Sequence, residues 1–170
     1  KYPKRQLDYS IYERNFGATI ESAGPVVQSW ADEFDQSAED MEQLRRIMHF
    51  ADVVVQVAST IAVDAACHNT PCIAMSFDRN DSTAPWGHRS RRAYGAEHNQ
   101  ILLRCGGMTL VETKAALREW LIRYLEHPET REEGRAKVVE EILWKGDGSS
   151  ARRLAHAVLA KLPAKSHTGV

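Results

Sequence analysis

No run of about 18 apolar residues occurs anywhere in the sequence, so no membrane span is expected. The opening KYPKRQLDYS lacks the apolar stretch of a secretory signal. Because the chain starts at Lys1 rather than Met, it reads as a piece of something longer. An excess of one charge is also missing: 22 Lys and Arg stand against 23 Asp and Glu, a net −1. That balance excludes a general attraction to nucleic acid or to an acidic membrane, while leaving room for a local anion site. Cysteine is scarce. Cys67, Cys72 and Cys105 are odd in number and form no C-x-x-C pair. They read as small core fillers in a reducing, cytoplasmic setting. The seven histidines show no metal-ligand spacing, so no structural zinc is expected; no other metal and no cofactor is expected either. There is no internal repeat and no low-complexity segment.

What is present is a chain of 170 residues, 43% of them hydrophobic, enough for the core of one domain or one large lobe of a two-lobed protein. Residues 1–24, punctuated by Pro3, Gly17 and Gly24, read as an irregular N-terminal segment. Residues 25–162 read as the folded domain, and 163–170 as a disordered tail. Pro25 to Trp30 reads as a short strand. Ser37, with Asp40 three residues on, resembles a capping box, and Met41, Leu44, Ile47, Met48 and Ala51 follow at helical spacing to an end near Phe50. Val53 to Val57 is a β-branched run of the kind a parallel strand covered on both faces needs. A short alanine-rich helix follows from Ile61 to His68. Asn69 is placed to end it, Pro71 blocks continuation, and Cys72 to Met75 makes the next strand. The pattern is a minimal βαβ unit, which predicts an α/β fold with a Rossmann-like parallel sheet flanked by helices.

Beyond it, residues 76–100 are polar and irregular, a length that in a compact domain is usually functional or mobile. Ile101 to Leu103 and Met108 to Val111 read as short strands around Gly106-Gly107. Thr113 is placed to cap a helix carrying Leu117, Trp120, Leu121, Tyr124 and Leu125, with Pro128 as its breaker. A second helix is expected from about Glu129 to Leu143, then a turn at Lys145 to Gly148. Ser149 or Ser150 would cap a last helix, with Leu154, Ala155, Val158 and Leu159 facing inward.

In open parallel sheets, ligands bind beyond the carboxyl ends of the strands. The Val53–Val57 strand delivers Ser59 and Thr60 to that edge, where the next helix begins. Unpaired N–H groups, a partial positive charge and two hydroxyls together suit a phosphate. Simple capping by Ser59 is the other reading. Asp64 lies four residues after Thr60, on the same helix face and about 6 Å along the axis. A carboxylate accepts two hydrogen bonds, which matches a ribose diol beside a diphosphate; a solvated surface Asp is the alternative.

The stretch ADVVVQVASTIAVDAACHNTPCIAM resembles the donor-site segment of GT-B-fold transferases. In that group a strand leads to a Ser/Thr-rich turn, a helix with an acidic residue, Gly-x-Pro and another strand. The resemblance implies donor phosphates at Ser59 and Thr60 and the donor ribose at Asp64. Asp in that place is common in the related glycerophosphotransferases that use CDP-glycerol. Asn69 stands where Gly is usual, and both reach the left-handed region. The late DGSSARRLAHAV is similar to the DG-x-x-x-x-R ending of the same group, with Asp147, Gly148 and Arg153 at the matching positions. The segment from Arg89 to Gly107 is similar to bacterial glycosyltransferase-like sequences. The implied function is the donor-binding lobe of a glycosyltransferase or glycerophosphotransferase, taking a nucleotide-diphosphate sugar or CDP-glycerol. The N-terminal acceptor lobe of such an enzyme is missing from this chain, and no general base can be named, so the chain alone is expected to be inactive. The alternatives are a non-catalytic nucleotide-binding or interaction module of the same fold, and an epimerase-like lobe for UDP-sugars.

The loop after Met75 carries Asp78, Arg79, His88, Arg89, Arg91 and Arg92. Arginine beside a diphosphate would offset leaving-group charge; a solvated basic loop is the other reading. Glu97-His98 could pair as an acid–base couple, or be a surface Glu beside a structural His. Trp30 could stack on a base but suits a core role better. Asn80-Asp81-Ser82 fits a glycosylation sequon, which in a cytoplasmic protein is chance.

Overall fold

Three short parallel strands carry the fold. The computed structural model describes residues 10–19, 37–77 and 90–162. The chain divides into two units, Lys1–Ile47 and Met48–Val170. The expected strand at Pro25 to Trp30, the boundary near residue 24 and the tail after 162 lie outside the described residues.

In the first unit, α1 (Ser10–Phe16) ends at Gly17, whose φ of 64° is the left-handed turn that only glycine adopts without cost. The helix α2 (Ala38–Phe50), whose last three residues belong to the second unit, begins with the capping box read from the sequence. Ser37 N–H donates to Asp40 Oδ2 at 2.9 Å, and Asp40 N–H donates to Ser37 Oγ at 3.1 Å. Farther along, Glu42 accepts from Arg45 at 2.7 Å and Arg46 at 3.0 Å, and those bonds hold its carboxyl down at about 2.

The second unit holds β1 (Val54–Gln56), α3 (Ile61–Cys67), β2 (Cys72–Met75), α4 (Ser90–Ala93), α5 (Glu97–Cys105), β3 (Thr109–Val111), α6 (Lys114–Glu126), α7 (Glu132–Val138), a π-helical turn Val139–Leu143 and α8 (Ser150–Leu159). The strand order is β1-β2-β3, all parallel, with Val54 opposite Cys72 and Ile73 opposite Thr109. The domain is an α/β fold of Rossmann-like type.

The register puts Val53, Ile73, Met75 and Val111 on one face, where α6 covers them through Leu117, Trp120, Leu121 and Tyr124. Tyr124 also reaches the sheet with its hydroxyl, which shares a short hydrogen bond with Thr109 Oγ1. Val54, Cys72 and Ala74, on the other face, are buried, and α3 packs on β1 and β2. Ala62, Ala65 and Ala66 are buried in α3; their small side chains let the helix lie close to the strands. Asn69 ends α3 with φ 57°, as its place in the sequence predicts.

Several expectations need correction. Ile101 to Leu103 is helix, not strand. Asn99, Leu102 and Cys105 are buried at a spacing of three, and Gly106 closes α5 at φ 77° as a C-cap. The apolar side chains of α8 do not face inward: the helix has no buried residue, and Leu154, Val158 and Leu159 are exposed. Cys72 and Cys105 are buried as expected, but Cys67 is exposed. The helix expected from Glu129 begins at Glu132, because residues 128–131 form a turn with Arg131 at φ 63°.

Candidate functional site

The chain leaves β1 at the carboxyl edge of the sheet and reverses through Ala58, whose φ of 47° is a strained left-handed conformation for a residue with a Cβ. Tyr94 fixes that turn. Its hydroxyl accepts from Ala58 N–H at 2.9 Å and donates to the Met75 carbonyl at 2.8 Å, tying the ends of β1 and β2 together. Burial pushes the Tyr94 phenol up from its ordinary value. Gln56 supplies the second tie. Its Oε1 accepts from Ser59 N–H at 2.6 Å, while its Nε2 lies 3.0 Å from Met108 Sδ. Two of the backbone donors at this turn are therefore satisfied by buried side chains of the domain itself.

The hydroxyls are placed differently. Ser59 and Thr60 are both exposed. Ser59 Oγ accepts from Ile61 N–H at 3.3 Å, which leaves its own proton free to donate. Thr60 is the flanking residue of α3 and makes no capping bond through its side chain. Asp64 follows on the next turn with its side chain exposed. Partial desolvation pushes the Asp64 carboxyl up from its ordinary value, against the pull of His68 one turn on. The site thus presents two exposed hydroxyl residues just before a short helix and an exposed carboxylate one turn along it.

Glu97 and His98 are both exposed in the first turn of α5. Consecutive helix positions diverge by about 100°, so the two side chains do not share a direction. Arg92 is exposed on α4. Asp78, Arg79, His88, Arg89, the side chain of Arg91, Trp30 and Asn80 lie outside the described residues. Asp147 and Arg153 do meet. Arg153 donates to both carboxylate oxygens at 2.8 Å, and Asp147 also accepts from Ser149 N–H at 3.0 Å. The Arg153 guanidinium holds the Asp147 carboxyl below its ordinary value.

A cleft of about 230 Å³ opens between His49, Asp52, His68, Asn69, Tyr124 and Pro128. It belongs to the amino edge of the sheet, the opposite end of α3 from Thr60. Among the described residues, no three His, Cys, Asp or Glu side chains gather as a metal ion requires, and no helix is long and apolar enough to cross a membrane.

No family model, curated protein or solved structure matches the chain.

Sequence reading missed Tyr94 and Gln56. Gln56 left a signal: it is the one polar residue in the run Val53 to Val57, and it is buried. A buried amide needs partners, and one of them, Ser59 N–H, lies at the turn it precedes. Tyr94 left none, because its polar surroundings in sequence do not reveal that its ring is buried.

Proposed function

We propose that this domain binds a nucleoside diphosphate donor at the carboxyl edge of its sheet. The Ser59 and Thr60 hydroxyls contact the diphosphate and Asp64 takes the ribose diol. On this reading the domain is the donor half of a glycosyl or glycerophosphoryl transferase, completed by an acceptor lobe. The observation that carries it is the order of parts: a parallel strand, an exposed pair of hydroxyls, a short helix, and an exposed carboxylate one turn along. Hydroxyls donate to phosphate oxygens, and a carboxylate accepts from both hydroxyls of a ribose. Burial has raised the energy of the ionised Asp64, and two ribose donors would offset that cost.

Calorimetry with UDP, GDP and CDP tests the reading. One of the three binds, and Asp64→Ala weakens it. Failure of all three, or an unchanged affinity in Asp64→Ala, removes the proposal.

A second reading has its own support. The Ala58 and Ser59 amides are occupied by Tyr94 and Gln56, so the turn also works as a structural clasp. A non-catalytic interaction module of this fold would show that clasp and bind no nucleotide in the same titrations.

A further inference from the structure

Among the described residues, nothing covers the apolar side of the last helix. Leu154, Val158, Leu159 and Leu162 are 66%, 52%, 66% and 59% exposed, and α8 buries none of its residues. At 100° per residue, Leu154, Val158 and Leu159 together with Ala151 and Ala155 fall within one continuous arc of about 140°, and Leu162 follows in the turn after the helix. The opposite side carries Arg153, which is tied to the exposed turn just before the helix. Arg153 is paired with Asp147 and its guanidinium lies 5.6 Å from the centre of the Trp144 ring. That tie is local, and α8 has no buried residue on any side, the leucine side included. Ten residues make a marginal helix by themselves, so a covering surface is needed to hold it.

The charges say what kind of surface. Arg152 borders the apolar arc on the helix, and Lys161 follows in the turn just past Leu159. From Gly148 onward the chain has four Lys and Arg residues and no Asp or Glu. A second copy of α8 would bring no carboxylate to meet either cation. An anionic lipid surface meets both: acyl chains take the leucines, and headgroup phosphates take the flanking cations at the level to which long basic side chains extend.

We propose that α8 is an interfacial helix that docks the domain on an anionic membrane surface, lying in the plane of the headgroups. The inference is independent of the nucleotide site.

Sedimentation of the full chain with vesicles tests it. The chain pellets with phosphatidylcholine vesicles containing about 30% phosphatidylserine, stays in solution with phosphatidylcholine alone, and is released by salt. Arg152→Gln and Lys161→Gln each weaken binding about fivefold. Leu154→Ala with Leu159→Ala keeps helix propensity, touches no core residue and weakens binding tenfold or more, by a rough count of the apolar carbons removed. Far-UV circular dichroism checks that the variants stay folded. No pelleting with anionic vesicles, or equal pelleting of the leucine variant, overturns the proposal. So does a dimer in solution that the leucine variant abolishes, which would assign the face to a second copy.

Discussion

The two edges of the sheet are built from different materials. At the amino edge, the buried polar groups of Arg135 and Thr70 are tied to their neighbours. Arg135 is 1% exposed and donates to Asn69 Oδ1 at 2.7 Å, the Thr130 carbonyl at 2.7 Å and the Pro128 carbonyl at 2.8 Å. Asn69 in turn donates to Glu132, and Thr70 Oγ1 donates to the Met48 carbonyl at 2.6 Å. At the carboxyl edge, the backbone is clasped by Tyr94 and Gln56 but the hydroxyls and the carboxylate of α3 stay in solvent. One edge spends its polar groups on the fold, and the other keeps some of them available. Free energy of folding should accordingly concentrate at the first, and ligand binding at the second.

The largest effect expected from this contrast is at Arg135. Its guanidinium is buried, burial pulls its pKa down, and its planar fork serves three acceptors from two separate turns. Arg135→Ala strands those acceptors and leaves a cavity, costing about 3–5 kcal/mol in urea denaturation. Ser59→Ala, at the other edge, should stay within about 0.5 kcal/mol of wild type. Equal costs at both positions would erase the contrast.

Gly134 comes next. It opens α7 against the end of α5, and a methyl group there would fall on the Gly106 and Cys105 carbonyls. Backbone atoms cannot swing aside as a side chain can. Gly134→Ala should cost about 2–3 kcal/mol. Tyr94→Phe should cost less, about 1–2 kcal/mol, because the ring is kept and only the hydroxyl joining Ala58 N–H to the Met75 carbonyl is lost. A Tyr94→Phe variant as unstable as Gly134→Ala would show that the carboxyl edge carries more of the fold than its exposed groups suggest.

Sequence legibility followed the same division. Local devices were readable because each is written within four residues. The Ser37–Asp40 box, the Thr113 cap with its 3.1 Å bond from Ala116 N–H, and the left-handed Asn69 all sit where pattern placed them. The βαβ unit was readable for a similar reason: β-branched run, alanine-rich helix and second apolar run are contiguous. Ile101 to Leu103 was misread because three adjacent apolar residues look alike in a strand and on a half-buried helix; Gly106 as a C-cap was the missed arbiter. The inward face expected of α8 failed because periodicity gives a helix its apolar side but not what lies against it. Arg135 was invisible, since its three acceptors come together only when residues 69 and 128–130 are brought beside α7. Of the candidate site, Ser59, Thr60 and Asp64 were placed by a local order of residues, while the clasp that shapes their turn depends on Tyr94, 36 residues from Ala58.

The smallest change in stability should accompany the sharpest change in binding, at Asp64. Desolvation raises the folded-state pKa of this carboxyl above its ordinary value of 3.8. Between that value and the raised one, the folded chain binds more protons than the unfolded chain. Stability from this group is therefore full below about 3.8 and declines as pH rises through the folded value. Asp64→Asn cannot lose a proton and escapes the decline. Its side chain is exposed, so the gain at neutral pH should not exceed about 0.5 kcal/mol. Nucleotide affinity should move the opposite way, falling about tenfold to a hundredfold, since a charged acceptor for two ribose hydroxyls is replaced by a neutral amide with one acceptor oxygen. Denaturation measured from pH 3 to 8 alongside calorimetry separates the two effects. A variant that is less stable than wild type at neutral pH, and binds as tightly, would place Asp64 among the residues that serve the fold and end its assignment to the ligand.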